Sequence, residues 1–295
     1  RNTENQMRVP TYTYTQYVPD INSFSRSGSS IDSNIVFNWS SADSNAWVLQ
    51  AIRNGVVIAT KSGTTETTTT FTPGQINQTG AFIFRLTLTN TQFGTVAVKE
   101  IDGTLTTVEP SIGTLTPSDS NQNRDNAINV SWSSSNQQSY TLTIDGNTYT
   151  GTTATSLVIP ANTLSKGVKS MTLTIKYTAA WGDVRTASKT VTFTAYGKPA
   201  APTLDGTTIY HTTYPTFTWT SSEQSAYQLI IKNSLDLTIL DTGAVTSTAK
   251  QYTSTVALQN NATYTLQLRV RNSFDLWSDY STKTITRIEP AIVAL

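Results

Sequence analysis

Apolar and polar residues alternate with a period of two in many short stretches of this chain. The clearest stretches are residues 82–88, 171–177 and 264–270. Such alternation predicts strands with one face in a core and the other in water, and no window shows sustained helical periodicity. Asn-Gly, Asp-Gly and Pro-Gly pairs separate the stretches and supply the backbone conformations that tight turns need. The pattern therefore predicts an all-β chain of many short strands.

A Trp that is followed eight residues later by a second aromatic residue occurs three times, at intervals of about 90 residues. The pairs are Trp39 with Trp47, Trp132 with Tyr140, and Trp219 with Tyr227. A unit of this size with six or seven alternating segments is typical of a β-sandwich. The repeat therefore predicts a tandem array of three β-sandwiches.

The repeat also predicts where the units begin and end. We expect sandwiches at residues 19–108, 109–197 and 198–288, with Pro residues at the junctions. Residues 1–18 are predicted to be the terminal strand of a preceding unit or a linker, because residues 11–17 resemble the strand at 190–196. Residues 289–295 resemble the opening of the second unit at 109–115 and are predicted to start a further unit. The chain is thus expected to be a piece of a longer array.

Composition removes most kinds of chemistry. The chain has no Cys and one His, so it can hold no disulfide, thiolate metal site or Cys nucleophile, and a Ser-His-Asp triad would have to use His211. Charged residues make up 13% of the chain and its net charge is +1 without a basic cluster, so no nucleic acid partner is expected. No run approaches the length of a membrane span, so no membrane insertion is expected. The 56 Thr and 31 Ser suit the solvent-facing positions of strands, as at Thr172.

The third repeat carries a segment that resembles fibronectin type III domains. This segment, Tyr264-x-Leu266-x-Leu268-x-Val270, follows the pair of Trp219 and Tyr227. In that family the Trp is a core residue, and the Tyr that opens the segment ties its strand to the preceding loop. The resemblance implies structural roles in the core for Trp39, Trp132, Trp219, Tyr140, Tyr227 and Tyr264. The first two repeats have Phe82 and Lys169 where Tyr264 stands, so the broader immunoglobulin-like class is expected for them.

Thr-rich, Cys-free tandem modules of this kind resemble those in tail or fibre proteins of phages of Gram-positive bacteria. The resemblance implies a non-enzymatic structural or spacer protein of a virion, without a cofactor. Its implied partners are other virion or surface proteins, with host-surface attachment as a further role. Such modules also resemble parts of bacterial surface proteins and secreted enzymes. The alternatives are therefore a bacterial cell-surface adhesin array, at an extracellular or cell-surface location, and the accessory modules of a secreted polysaccharide hydrolase.

Three aromatic residues are the candidate ligand contacts. Phe93, Trp181 and Trp277 occupy comparable loop or strand-end positions in the three units. Flat apolar rings in loops can stack on sugars, so these residues are candidates for contact with cell-surface carbohydrate. The alternative is that they cap the ends of the sandwich cores, and their repetition favours this second interpretation.

One polar loop partly imitates a calcium site. Residues 119–125 place Asp and Asn at alternating positions, but Arg124 stands where a calcium loop needs Gly. Asn and Asp also favour turns, so a turn-rich loop explains the same residues. No metal site is expected.

Overall fold

The computed structural model describes residues 17–290, and every regular element in that range is a β-strand. None of these residues belongs to a helix long and apolar enough to cross a membrane. The predicted terminal strand of a preceding unit and the predicted start of a further unit fall mainly on residues 1–16 and 291–295, outside the described residues. The buried apolar side chains form three separate clusters, one for each repeat of the sequence.

The first sandwich has seven strands. They are β1 (Asp20–Ser27), β2 (Ile35–Ala42), β3 (Ala46–Arg53), β4 (Val56–Gly63), β5 (Thr68–Phe71), β6 (Gly80–Asn90) and β7 (Thr95–Leu105). A three-stranded sheet in the order β1-β2-β5 packs on a four-stranded sheet in the order β4-β3-β6-β7. Phenylalanines fill the space between the sheets. The ring of Phe37 lies 4.9 Å from that of Phe84 and 5.9 Å from that of Phe71, measured between centroids.

The second sandwich has eight strands. They are β8 (Ser111–Thr116), β9 (Asn121–Asn123), β10 (Ile128–Ser135), β11 (Ser139–Ile144), β12 (Asn147–Gly151), β13 (Ser156–Ile159), β14 (Gly167–Thr178) and β15 (Val184–Tyr196). The sheet β13-β10-β8 packs on the sheet β12-β11-β14-β15-β9, in which β9 runs parallel to β15. Burial alternates strictly along the start of β10, where Ile128, Val130 and Trp132 are buried and the residues between them are exposed. This alternation is the period-two pattern of the sequence.

The third sandwich repeats this arrangement with nine short strands. They are β16 (Thr203–Leu204), β17 (Ile209–Tyr210), β18 (Thr216–Thr220), β19 (Ala226–Lys232), β20 (Thr238–Asp241), β21 (Val245–Thr246), β22 (Gln251–Thr253), β23 (Ala262–Arg271) and β24 (Ser281–Arg287). The sheet β16-β18-β22 packs on the sheet β17-β24-β23-β19-β20, and β21 also pairs with β19.

One strand order is common to the three sandwiches. In each, a hairpin of the last two strands (β6 and β7, β14 and β15, β23 and β24) pairs with an earlier strand, and a three-stranded sheet covers the opposite side of the core. Two sheets with this order, antiparallel apart from the short edge strands β9 and β17, form an immunoglobulin-like sandwich. The expected fold class, a tandem array of immunoglobulin-like sandwiches, is confirmed. The residue bounds of the units stay a prediction.

The repeated aromatic pairs lie in the three cores. The pairs are Trp39–Trp47, Trp132–Tyr140 and Trp219–Tyr227. Within each pair the ring centroids are 4.8–5.0 Å apart, and each of the six residues is at most 8% exposed. In the second sandwich the indole N–H of Trp132 donates to Oε1 of Gln137 at 2.9 Å, and Nε2 of Gln137 donates to the carbonyls of Thr152 and Ala154. Gln224 makes the equivalent bonds in the third sandwich. These glutamines satisfy an indole N–H that burial removes from water.

The position of Tyr264 differs in chemistry between the units. The backbone N–H of Gln259 donates to Oη of Tyr264 at 2.7 Å, which ties β23 to the loop before it. Lys169 takes this position in the second sandwich, where its Nζ lies 2.9 Å from Oδ1 of Asp145. In the first sandwich the position holds Phe82, which is buried. Each unit therefore closes the same corner of its core with a different side chain.

Candidate functional site

The loop that joins the last two strands of each sandwich is here called its tip loop. The tip loops are residues 91–94, 179–183 and 272–280. They carry the three candidate aromatic residues, Phe93, Trp181 and Trp277. The tip loops of the second and third sandwiches contact the sandwich that precedes them in the chain. The junctions between sandwiches are therefore the candidate functional site.

Trp181 contacts the neighbouring unit. Its ring packs against the core cluster of the first sandwich, and its indole N–H donates to Oδ1 of Asp32 at 3.1 Å. Gly74 provides the space for this contact, because a Cβ at Gly74 would come within 2.5 Å of the Cβ of Trp181. The ring is thus part of the junction, a role that neither a cap on its own core nor a carbohydrate contact describes.

A buried ion pair joins the first and second sandwiches. Nη1 of Arg185 donates to Oδ2 of Asp32 at 2.5 Å, and Nη2 donates to Oδ1 at 3.0 Å, so the guanidinium binds the carboxylate with both of its ends. The backbone N–H of Val108 donates to Oδ2 of Asp32 at 2.6 Å, and its carbonyl accepts from Nη1 of Arg185 at 3.0 Å. The side chains of Asp32 and Arg185 are only 1% and 10% exposed. We call the set of Asp32, Val108, Trp181 and Arg185 the clamp.

The clamp holds both of its charges. Burial by itself raises the pKa of Asp32, but hydrogen bonds from Arg185, Val108 and Trp181 outweigh it and bring the pKa below its ordinary value. The hydrogen bond to Asp32 raises the pKa of Arg185 in turn. Nη2 of Arg185 also lies 2.7 Å from Oδ2 of Asp183. Because every charge and donor named here has a partner, the carboxylate stays ionised inside the junction.

An aromatic stack joins the second and third sandwiches. The rings of Tyr196, at the end of β15, and Phe274, in the tip loop, lie 4.1 Å apart between centroids at an interplanar angle of 14°. Nδ2 of Asn272 donates to the carbonyl of Gly197 at 2.9 Å, and Asn272 is only 4% exposed. Oδ1 of Asn272 accepts from the backbone N–H of Phe274 at 3.0 Å, so one amide both shapes the tip loop and binds the preceding unit.

Two exposed ion pairs flank this stack. Nζ of Lys166 lies 2.8 Å from Glu223, and Nζ of Lys198 lies 2.8 Å from Asp279. The hydrogen bond to Asp279 raises the pKa of Lys198. Side-chain exposures of 33–77% place these pairs in water, where ion pairs are weak and salt screens them. The ion pairs of the second junction are therefore exposed, whereas that of the first junction is buried.

Phe93 is the most open of the three candidate aromatic residues. Its side chain is 42% exposed and its ring lies 5.6 Å from that of Tyr17, which is 49% exposed. Oγ1 of Thr95 donates to the carbonyl of Tyr17 at 2.6 Å. The tip loop of the first sandwich thus contacts the chain segment that enters the sandwich, with both rings accessible to solvent.

The ring of Trp277 is covered by cations of its own sheet. The guanidinium of Arg269 lies 4.5 Å from the ring centroid of Trp277 and 4.8 Å from that of Tyr280. The guanidinium of Arg271 lies 5.5 Å from Trp277. Trp277 is thus bound to two cations of its own sandwich by cation–π contacts.

The other candidate positions are His211 and the polar loop at residues 119–125. Nδ1 of His211 lies 2.8 Å from the carbonyl of Ile288 in an exposed loop. Asn123 accepts the backbone N–H of Asp125, which shapes the turn, and Asp125 accepts the backbone N–H of Lys198, which ties this loop to the second junction. Across residues 17–290 no group of three or more His, Asp or Glu side chains could hold a metal ion.

The clamp and the core glutamines were missed by the sequence reasoning. Asp32 and Arg185 are 153 positions apart and no repeated motif marks either, so no sequence signal connected them. Gln137 and Gln224 did carry a signal, because each stands five residues after the Trp of its unit. The first unit has Ser44 at that place, and the indole N–H of its second aromatic, Trp47, donates instead to a glutamate.

Comparison with known proteins gives structural neighbours only. No protein-family model matches the chain, and no curated protein matches it in sequence. A structure of a 1.5-MDa bacterial ice-binding adhesin is 13% identical, with a TM-score of 0.45, over 94% of this chain and 100% of that one. An ice-binding adhesin of an Antarctic bacterium gives the same identity and TM-score over 95% and 76%. Three N-terminal domains of the outer capsid protein Hoc of bacteriophage RB49 are 10% identical, with a TM-score of 0.37, over 93% and 99%. The fold class rests on the strand order and register described above.

Proposed function

We propose that this chain is a non-enzymatic structural spacer of a phage virion, as part of a tail, fibre or decorating arm. The observation that carries the spacer role is the clamp. Domains on free linkers need no contact with each other, whereas here a carboxylate that is 1% exposed accepts four hydrogen bonds from three residues, Val108, Trp181 and Arg185. Such a joint restricts the orientation of one unit relative to the next. A spacer that must keep its two ends a fixed distance apart benefits from this restriction.

The most enzyme-like cluster in the second sandwich supports a non-enzymatic role. Lys169 contacts both Ser165 and Asp145, which has the form of a nucleophile beside an amine. A hydrogen bond from the backbone N–H of Ser165, followed by that from Lys169, lowers the pKa of Asp145 to about 2. Nζ of Lys169 binds Asp145 at the corner of the core that the hydroxyl of Tyr264 closes in the third sandwich. The cluster therefore stabilises a corner of the core.

The proposal includes contact with other virion or surface proteins and host-surface attachment. Cell-surface carbohydrate remains a candidate ligand at Phe93, whose ring is accessible. A glycan array tests this point: loss of a glycan signal in Phe93→Ala but not in Trp277→Ala supports attachment through the first tip loop. Absence of any retained glycan at high protein concentration removes carbohydrate from the proposal.

Location is tested on the particle. Mass spectrometry of purified virions from the phage that encodes the chain should detect it as a stoichiometric component. Its absence from virions would refute the virion role. Recovery in a bacterial envelope fraction would support the alternative of a cell-surface adhesin array. A catalytic domain in the same full-length chain would support the alternative of accessory modules of a polysaccharide hydrolase.

A further inference from the structure

Within residues 17–290, the last strand of each sandwich has an edge that no other strand covers along most of its length. In this part of the chain β7 pairs with β6 alone. The parallel strand β9 covers β15 only at Thr194–Tyr196, and β17 covers β24 only at Thr286 and Arg287. The free backbone groups of such an edge can pair with a strand of another chain, so an open edge favours association between copies.

Each of these last strands has a lysine at a position that faces the core. These lysines, here called the edge lysines, are Lys99, Lys189 and Lys283. They lie directly opposite Leu86, Leu173 and Leu266, which are buried in the three cores. Residues directly opposite each other in a sheet share one face, so the edge lysines point toward the gap between the two sheets.

Apolar neighbours flank the edge lysines along their strands. The core-facing neighbours of Lys189 in β15 are Ala187 and Val191, which pack against the second core. Lys99 has an Ala and an Ile at the same positions of β7, and these pack against the first core. Lys283 takes the next core-facing position along β24, beside a buried Ile. A cation thus stands in a row of side chains where an apolar residue would continue the core.

Each edge lysine crosses the gap between the two sheets of its sandwich. Its Nζ donates to a backbone carbonyl in or directly after the first strand of the same unit. In the order of the edge lysines, the acceptors are the carbonyls of Ile21, Gly113 and Asp205. The first strands β1, β8 and β16 are edges of the opposite sheets. Each ammonium group therefore lies at the open side of the sandwich, between two edge strands.

The first sandwich has two more core-facing cations on edge strands. Arg26 in β1 lies opposite the core residue Phe37, and its guanidinium lies 5.3 Å from the ring centroid of Phe84. Nη1 of Arg26 is buried and has no hydrogen-bond partner among the described residues. Lys61 in β4, at the other edge of the four-stranded sheet, lies opposite Leu49. A buried donor without a partner costs stability, so stability alone does not explain a cation at this place.

We propose that the edge lysines prevent the open edges of one chain from pairing with those of another copy. A strand added to β15 would extend the sheet over the open side and separate the ammonium group of Lys189 from water. Burial of a charge that has a single carbonyl partner is unfavourable, so the added strand is rejected.

The same lysines cost the single chain little. Lys99 is exposed and Lys189 is only partly buried, so the aliphatic part of each side chain can pack while water still reaches the sandwich edge. The edge lysines therefore act on specificity: the sandwiches contact each other end to end within one chain and not edge to edge between chains. This inference is independent of the virion role.

Lys189→Leu in the full 295-residue chain tests the proposal. The leucine continues the apolar row of β15, so the midpoint of urea unfolding should equal or exceed that of the wild type. Sedimentation velocity from about 1 µM to about 1 mM should show self-association of this variant and a monomeric wild type. Lys189→Arg keeps a cation and should stay monomeric. Lys176→Leu is the matched control, because it removes the same charge from the outward-facing side of β14, and it should also stay monomeric.

Hydrogen exchange identifies the surface that associates. In the associated Lys189→Leu chain, the amides of β15 between Val184 and Phe193 that face the open edge should gain protection. Lys189→Leu that stays monomeric throughout overturns the proposal, and a lower urea midpoint in that case assigns the lysine to stability alone. Association with loss of protection throughout the second sandwich reports unfolding instead of strand pairing and overturns the proposal as well. A wild-type chain whose β15 amides gain protection with rising concentration does the same.

Discussion

Replacement of Asp32 by Ala removes the acceptor at the centre of the clamp. Arg185 then lies in a junction where its side chain is 10% exposed and its closest remaining partner is Asp183, at 2.7 Å. Breaking a buried pair from one side costs about 3–5 kcal/mol when the remaining charge is uncompensated. Because Asp183 keeps part of the compensation, we expect a loss of about 2–3 kcal/mol in the free energy that couples the first and second sandwiches. Asp32→Asn keeps an acceptor and should cost less.

The Cys-free sequence suits a direct assay of this coupling. Thr60→Cys and Thr150→Cys provide exposed spin-label sites on β4 and β12, with no native thiol to compete. Distances measured by pulsed electron paramagnetic resonance should form a narrow distribution in the otherwise native chain and a broad one with Asp32→Ala. Gly74→Ala should broaden it as well, because its Cβ would collide with Trp181. In these variants, the first two sandwiches should unfold at lower urea concentrations than in the native chain.

The control for this experiment is Asp279→Asn, which disrupts an exposed ion pair at the second junction only. It should leave the distance distribution between the first and second sandwiches unchanged. An equally narrow distribution in Asp32→Ala and the native chain, with the same urea transitions, would show that the clamp does not set the joint. The reasoning from burial to rigidity would then be wrong.

Four further outcomes follow from the same structure. Raising the NaCl concentration should broaden the distance distribution between labels at Thr150→Cys and Thr284→Cys, because salt screens the exposed ion pairs of the second junction. The distribution between the labels on the first and second sandwiches should stay narrow. The pKa of Asp145 in the folded protein is about 2, below its value in the unfolded chain. Its contribution to the free energy of unfolding is therefore complete above the unfolded pKa and disappears as the pH falls from about 4 to about 2. Urea unfolding of Asp145→Asn should lack this pH-dependent contribution. Tyr264→Phe should cost about 1–2 kcal/mol in urea unfolding, since a backbone N–H loses its acceptor. Gln224→Ala should cost about 1–3 kcal/mol by the same measurement, because an indole N–H and two carbonyls lose their partner.

The parts of the fold that local pattern controls could be read from the sequence. Alternation between 264 and 270 marks β23 because a strand with one buried face must alternate. The Trp of each repeat marks a core because a large ring gains most from burial. The polar positions of β14, such as Thr172 and Thr174, lie on the outer face of their sheet in contact with hydroxyl partners.

The contacts between units could not be read in this way. Trp181 looks like any loop aromatic in sequence, and only the position of the preceding unit brings its ring to Gly74. The clamp joins Asp32 to Arg185 across a sandwich boundary, with no spacing rule that relates them. A contact of this kind is set by the relative placement of two folded bodies, which local periodicity does not encode.

The unequal junctions have a mechanical consequence. A pulling force along the chain acts on both joints in series. The first joint has a buried ion pair with two hydrogen bonds, and the second has an aromatic stack, one hydrogen bond from Asn272 and solvent-exposed charges. The contacts of the second junction, around Tyr196 and Phe274, are therefore expected to break first. The first two sandwiches still move as one rigid body at that point. The chain would then lengthen by reorientation at the second junction before any strand leaves its sheet. The first two sandwiches thus form a stiff segment, and the second junction is a flexible joint. Tension is expected to reorient the third sandwich rather than unfold it.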